Sequence, residues 1–126
     1  MPVKTALVIE DDPTIRQFIV VNLTARDFEV MEAADGEEGL NRLRENAPSV
    51  VLLDLRMPGM SGSELLEIML DDPELRSIPV VVVTASVIDT NRIAVRDMPN
   101  VTHILLKPFK IEDVMQAVNE ALSAAI

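Results

Sequence analysis

At 126 residues with 48% hydrophobic content, the chain has the length of a single domain over 1–126 and enough apolar surface for a sizeable core. Its 21 acidic against 11 basic residues give a formal charge of −10, which disfavours nucleic-acid phosphate and anionic membranes as direct partners, and three phenylalanines with no Trp or Tyr offer no platform for stacking bases. The absence of cysteine excludes a disulfide framework and a thiolate metal site and fits a reducing cytoplasm, while no apolar run approaches the roughly 20 residues needed to cross a bilayer and the first residues lack the pattern of a signal peptide.

Five apolar runs recur along the chain: Ala6–Ile9, Phe28–Met31, Val50–Leu53, Ile78–Thr84 and Val101–Leu106. After the first, Asp12-Pro13 reads as an N-cap acid followed by proline at the first helical position, and Ile15, Phe18, Ile19 and Leu23 keep one helix face apolar. Leu40, Leu43 and Ala47 mark a second helix ended by Pro48, and Leu65, Leu66 and Met69 a third before Asp72-Pro73. Val87–Met98 is a weakly patterned fourth helix, interrupted by Thr90, Asn91 and Arg92. The spacing of Ile111, Val114, Met115, Val118 and Leu122 predicts a fifth. Alternating strands and helices joined by short connections predict a doubly wound parallel sheet with helices on both faces and right-handed crossovers. The polar, alternating second run belongs at an edge, and the wholly apolar first, third and fourth runs belong in the middle.

In an open parallel sheet the carboxyl ends of all strands meet at one crevice. Here they bring Glu10, Asp11 and Asp12 from the first strand, Asp54 from the third, Thr84 from the fourth and Lys107 from the fifth. Asp12 is accounted for as the helix cap. Three remaining carboxylates within a few ångströms would repel by about 4 kcal/mol per pair at an effective dielectric of 20, so a cation is required. Mg²⁺ suits an all-oxygen site beside a phosphate group. An ammonium at Lys107, a hydroxyl at Thr84 and backbone N–H groups near Ala85 are what a phosphoryl group needs, which makes Asp54 a candidate nucleophile.

The acids of IEDDP, the DLRMPGMSG loop, the VVVTAS strand end and the KPF triplet together resemble the receiver domain of bacterial two-component response regulators, over essentially the whole chain. The resemblance implies a flavodoxin-like sheet in the order 2-1-3-4-5 and a phosphoacceptor at Asp54. It also implies Mg²⁺ bound by Asp11 directly and by Glu10 largely through water, with Asp54 and the backbone carbonyl of Arg56 as further ligands. Thr84 and Lys107 fall on the family's catalytic hydroxyl and lysine, and Lys107-Pro108 on a common cis peptide. The implied protein is a cytoplasmic switch that assists its own phosphorylation and dephosphorylation without turning over a substrate. Its phosphodonor would be a histidine kinase or histidine phosphotransfer protein docking on the first helix around Pro13, Thr14, Ile15 and Phe18. A downstream protein or fused output domain, or a second copy in a dimer, would use the fourth helix, fifth strand and fifth helix.

Three positions depart from the family pattern. Ile104 stands where Tyr or Phe is usual, MPNVT replaces a common Gly-Ala before the fifth strand, and Arg56 occupies a variable position at the site mouth that tunes phosphoryl lifetime. Ile104 can neither make a large ring rotation nor offer a hydroxyl. Switching is therefore expected mainly through the loop after Thr84 and the fourth helix. The lone His103 has no second histidine or cysteine to complete a metal site and reads as a surface or half-buried residue. Two alternatives remain: a phosphorylation-independent pseudo-receiver, whose usual sign is loss of the acceptor, an acid or the lysine, and an aspartyl-phosphate phosphohydrolase, which would want a general acid where Arg56 stands. A flavin module would want a hydroxyl-rich phosphate loop and aromatic cover that this sequence lacks.

Overall fold

The computed structural model describes residues 3–85 and 93–124. In chain order the elements are β1 (Thr5–Ile9), α1 (Pro13–Thr24), β2 (Glu29–Ala33), α2 (Gly36–Glu45), β3 (Val50–Leu53), α3 (Gly62–Asp71), β4 (Val80–Thr84), α4 (Ile93–Arg96), β5 (Val101–Leu106) and α5 (Ile111–Ala124). The five strands form one sheet in the order β2-β1-β3-β4-β5, and every pair is parallel. This is the expected flavodoxin-like doubly wound arrangement. β1, β3 and β4 are buried almost throughout, whereas β2 and β5 at the edges are mostly half-buried or exposed.

Strand parity divides the core. Ala6, Val8, Val50, Leu52, Val81 and Val83 point to the face covered by Ile19 and Leu23 of α1 and by Val114, Val118 and Ala121 of α5. Their neighbours Leu7, Ile9, Val51, Leu53, Val80 and Val82 point the other way, against Leu40 and Leu43 of α2, Leu65, Leu66 and Met69 of α3, and Val95 of α4. A two-residue period in each central strand thus feeds two separate hydrophobic layers, which is why those strands are apolar at every position.

The fourth run begins as a strand only at Val80; Pro79 has no N–H to donate, and its carbonyl instead accepts from Val51 at 3.0 Å. The second helix stops at Glu45, two residues short of Ala47, because Asn46 is already extended. Residues 86–92 of the expected fourth helix lie outside the described residues. The described part is helical over Ile93–Arg96, and Met98, beyond its end, is buried in the core. No helix among the described residues is long and apolar enough to cross a membrane.

The expected cap of α1 is present: Asp12 is extended, and its carboxylate accepts from the N–H groups of Thr14 (2.9 Å) and Ile15 (3.2 Å), with Pro13 at the first helical position. Asp12 is exposed, and its carboxylate serves as the cap of the helix. Asp12→Ala should lower the unfolding free energy by about 1 kcal/mol, measured by urea denaturation, while leaving the buried acids next to it in place.

Candidate functional site

The strand ladders run one residue past the strands at the carboxyl end of the sheet, and those extra hydrogen bonds fix the site. Glu10 N–H donates to Ala33 O (3.0 Å), Asp54 N–H to Ile9 O (3.1 Å) and Lys107 N–H to Thr84 O (2.9 Å). Glu10, Asp54 and Lys107 are therefore each the first residue after a strand and Thr84 the last of one, each held by a neighbouring strand's backbone. Glu10 and Asp54 are buried, at 2% and 6% exposure, and Thr84 is fully buried. Asp11, on the turn toward α1, is exposed.

Lys107 reaches across this end of the sheet to join two of the acids. Its Nζ donates to Glu10 Oε1 at 2.5 Å and to Asp54 Oδ2 at 3.0 Å. The second oxygen of each acid is also engaged: Asp12 N–H donates to Glu10 Oε2 (3.2 Å) and Arg56 N–H to Asp54 Oδ1 (3.2 Å). Carboxylate oxygens of Glu10, Asp11 and Asp54 lie within 4.8 Å of one another. Three carboxylates and one ammonium leave an excess of negative charge, and a set of hard oxygens at this separation fits a divalent cation. The structure thus gathers the side chains of Glu10, Asp11, Asp54 and Lys107, and brings Thr84 and Arg56 to the same place through their backbones.

Burial and the neighbouring Asp54 charge push Glu10 up from 4.5 to about 7, although the hydrogen bonds from Lys107 and from Asp12 N–H pull it down. Burial by itself would lower Lys107, but its bonds to Glu10 and Asp54 and their charges prevail and hold it above its ordinary 10.5.

The loop from Leu55 to Ser61 returns the chain to α3 in a small space. Gly59 adopts φ +75°, the left-handed region that suits glycine after Pro58 in a tight turn. Gly62 N–H donates to Leu55 O (2.9 Å), and a Cβ at Gly62 would lie 2.4 Å from Asp54 O and 2.7 Å from Leu55 Cα. Both are backbone atoms of the segment that carries the acceptor candidate. The glycine therefore lets the start of α3 press against Asp54. Ser61 caps α3 by accepting from Glu64 N–H (3.2 Å), as Asp35 caps α2 by accepting from Glu38 N–H (2.8 Å). Sequence reasoning missed both caps, although the Ser61-x-x-Glu64 and Asp35-x-x-Glu38 spacings signal them. It also missed Arg16, a polar position on a helix with nothing in its spacing to distinguish it.

His103 is half-buried on β5, with Nδ1 3.1 Å from Thr102 Oγ1 and Nε2 3.3 Å from Glu120 Oε2, a surface pairing remote from the acids in sequence. Lys107-Pro108 is cis, as the resemblance implied.

The profile of the response regulator receiver domain matches residues 6–119, spanning all five strands and most of α5. The chain belongs to this family. Similar proteins include the DNA-binding response regulator MtrA of Mycolicibacterium smegmatis, 30% identical over 116 residues that cover 92% of this chain and 49% of MtrA. Protein PilH of Pseudomonas aeruginosa is 28% identical over 117 residues, covering 93% of this chain and 96% of PilH. This receiver domain therefore spans about half the length of MtrA and nearly all of PilH. Among solved structures, the chemotaxis response regulator CheY4 of Vibrio cholerae superposes with a TM-score of 0.87 at 25% identity, covering 96% of this chain and 100% of that one.

Two predictions follow from the geometry of this receiver domain. Alanine at the first position of a helix would ordinarily be favoured over glycine by up to about 1 kcal/mol. Gly62→Ala should nevertheless destabilise by about 1–3 kcal/mol in urea denaturation, because backbone at Asp54 and Leu55 must move. For Glu10, a native value near 7 against 4.5 unfolded means that the folded state holds the proton more tightly. Its contribution is fully present below pH 4.5 and is lost as pH rises through 7, with a slope of at most about 1.4 kcal/mol per pH unit. Without divalent cations, Glu10→Gln should thus gain stability relative to wild type between pH 5 and 8, by about 1–3 kcal/mol in urea denaturation.

Proposed function

We propose that this receiver domain is a phosphorylatable switch in which Asp54 accepts a phosphoryl group from a phosphohistidine on a histidine kinase or a histidine phosphotransfer protein. The observation that carries the reading is the Lys107 ammonium shared between Asp54 and Glu10, with Asp11 beside them. One oxygen of the Asp54 carboxylate attacks phosphorus, the P–N bond of the donor breaks, and the imidazole nitrogen keeps the released electron pair and takes up a proton. An acyl phosphate remains on Asp54. Lys107 is already on Asp54 Oδ2 and needs only to follow the new negative oxygens, and the hydroxyl of Thr84 and the N–H groups after it supply further donors.

Glu10, Asp11, Asp54 and the backbone carbonyl of Arg56 would hold Mg²⁺, which when bound supplies positive charge against the phosphoryl oxygens. Asp11 and Arg56, with Pro58, Ser61 and Ser63, line a cleft of about 380 Å³ next to the acids, with room for a small donor. The exposed Phe18, 48% accessible, lies 6.3 Å from the ring of Phe109 and borders a shallow apolar cleft with Pro13, Thr14 and Val21. That face supports docking of the donor protein on α1. Ile15 turns partly into the core and contributes less to it than its place in the sequence suggests.

The reading is of a signalling switch in the cytoplasm rather than a turnover enzyme, since Arg56 stands where a phosphohydrolase of this design would carry its general acid. Ile104 is partly buried against the hydrophobic layer that α2, α3 and α4 form on one face of the sheet. Its transmission of the signal is accordingly small, and the segment after Thr84 carries most of it to an output domain, a downstream protein or a second copy. With Mg²⁺ and acetyl phosphate the protein should gain one phosphoryl group, sensitive to acid and base, detected by intact-mass spectrometry. Asp54→Asn should abolish the gain. Label persisting in that variant would exclude Asp54 as the acceptor, and a wild type that stays unlabelled would favour the pseudo-receiver.

A further inference from the structure

Arg16 lies on the first turn of α1, yet its guanidinium turns back over the loop from β1. Nη1 donates to the backbone carbonyl of Glu10 at 2.7 Å, and Nε donates to Glu32 Oε1, at the end of β2, at 3.2 Å. Its own backbone N–H donates to the carbonyl of Asp12 at 2.9 Å. The carbonyls one residue before and one residue after Asp11 are therefore both held by Arg16. The strand ladder does not reach this far: the Ile9 carbonyl accepts from Asp54 N–H, and the next one, of Glu10, goes to the guanidinium. Asp11 is exposed, and its carboxylate has no hydrogen-bond partner among the described residues, so its placement depends on the backbone that carries it.

We propose that Arg16 is a positioning residue for the acid site: it fixes the Glu10–Asp11 peptide so that the free carboxylate of Asp11 meets those of Glu10 and Asp54. The proposal rests on the reading of Glu10 and Asp11 as cation ligands. Glu32 serves it in turn, neutralising the guanidinium and holding it over the loop. The arrangement has a diagnostic sign. Removing a positive charge from beside a cation site should tighten cation binding if charge alone matters. If Arg16 acts through geometry, its removal weakens binding instead, as loss of the groups that orient metal ligands generally does.

The experiment uses ¹⁵N-labelled protein with Arg16→Met, which keeps the aliphatic stem, and Arg16→Lys, which restores one donor at similar reach. Without metal, the amide shifts of Asp11 and Asp12 report the hydrogen bonds at the Glu10 carbonyl and at Glu10 Oε2, and Mg²⁺ titration then gives the dissociation constant. Arg16→Met should move both amides and weaken Mg²⁺ about tenfold, and Arg16→Lys should recover part of each change. Unmoved amides in the metal-free protein, or Mg²⁺ binding as tight as or tighter than wild type, would overturn the proposal. If the wild type itself does not respond to Mg²⁺, the ligand reading falls separately. The metal-free amide shifts then decide by themselves whether Arg16 holds the loop. If Arg16→Met does not fold, the same readouts on Arg16→Lys, whose single donor should shift both amides part of the way, decide between the same outcomes.

Discussion

Lys107 Nζ stands between the carboxylates of Glu10 and Asp54, and without it two buried negative charges would face each other across adjacent strand ends. At 4 Å such a pair repels by about 4 kcal/mol even at an effective dielectric of 20, before the cost of removing both from water. The rest of the molecule is arranged so that this contact can form. β1, β3, β4 and β5 must run parallel and in register for their ends to coincide. The ladder hydrogen bonds from Asp54 to Ile9, from Val51 to Pro79 and from Lys107 to Thr84 set the relative height of these four strands. One ammonium does not balance three carboxylates. Burial, and after it the neighbouring Asp54 charge, raises Glu10 to about 7, and the cluster of carboxylate oxygens fits a divalent cation.

Around that contact the backbone is confined more tightly than the side chains. The start of α3 lies against the carbonyl of Asp54 because Gly62 has no Cβ, and the turn at Pro58-Gly59 brings the chain back in few residues. A short, glycine-closed loop on one side of Asp54 and an arginine-held loop at Asp11 on the other have the same consequence: the backbone that carries the acids is fixed by contacts of the fold. β5 is an edge strand only partly covered, and the α4 segment Ile93–Arg96 is a single turn.

Much of this was legible in the sequence. The residues of the three central strands are apolar at nearly every position because both faces of the sheet are covered there, and FEVMEA carries Glu29 and Glu32 because β2 lies at the edge, where cover is incomplete. These patterns fix the fold class without reference to contacts. The Asp12-Pro13 cap and the convergence of Glu10, Asp11, Asp54, Thr84 and Lys107 on strand ends were equally readable, since a parallel topology carries strand ends to one side whatever the intervening helices do. Where helices stop was less readable. Ala47 continues the helical spacing but lies beyond an extended Asn46, and Met98 fills a core position after its helix has ended. Hydrophobic spacing records which residues are covered, not the backbone angle at which they arrive.

The sequence by itself therefore determined the layer architecture and the identity of the acids, hydroxyl and lysine, because both depend on periodicity and on chemical type. Only the tertiary structure decided that Lys107 divides itself between Glu10 and Asp54 while Asp11 stays exposed, that Gly62 is needed for a close approach, and that Arg16 holds the Glu10 carbonyl. These are contacts between residues 6 to 97 positions apart, or between a side chain and a backbone atom. Their existence depends on distances of a few tenths of an ångström, set by how the two helical layers pack on the sheet, and a one-dimensional pattern does not encode distances of that kind.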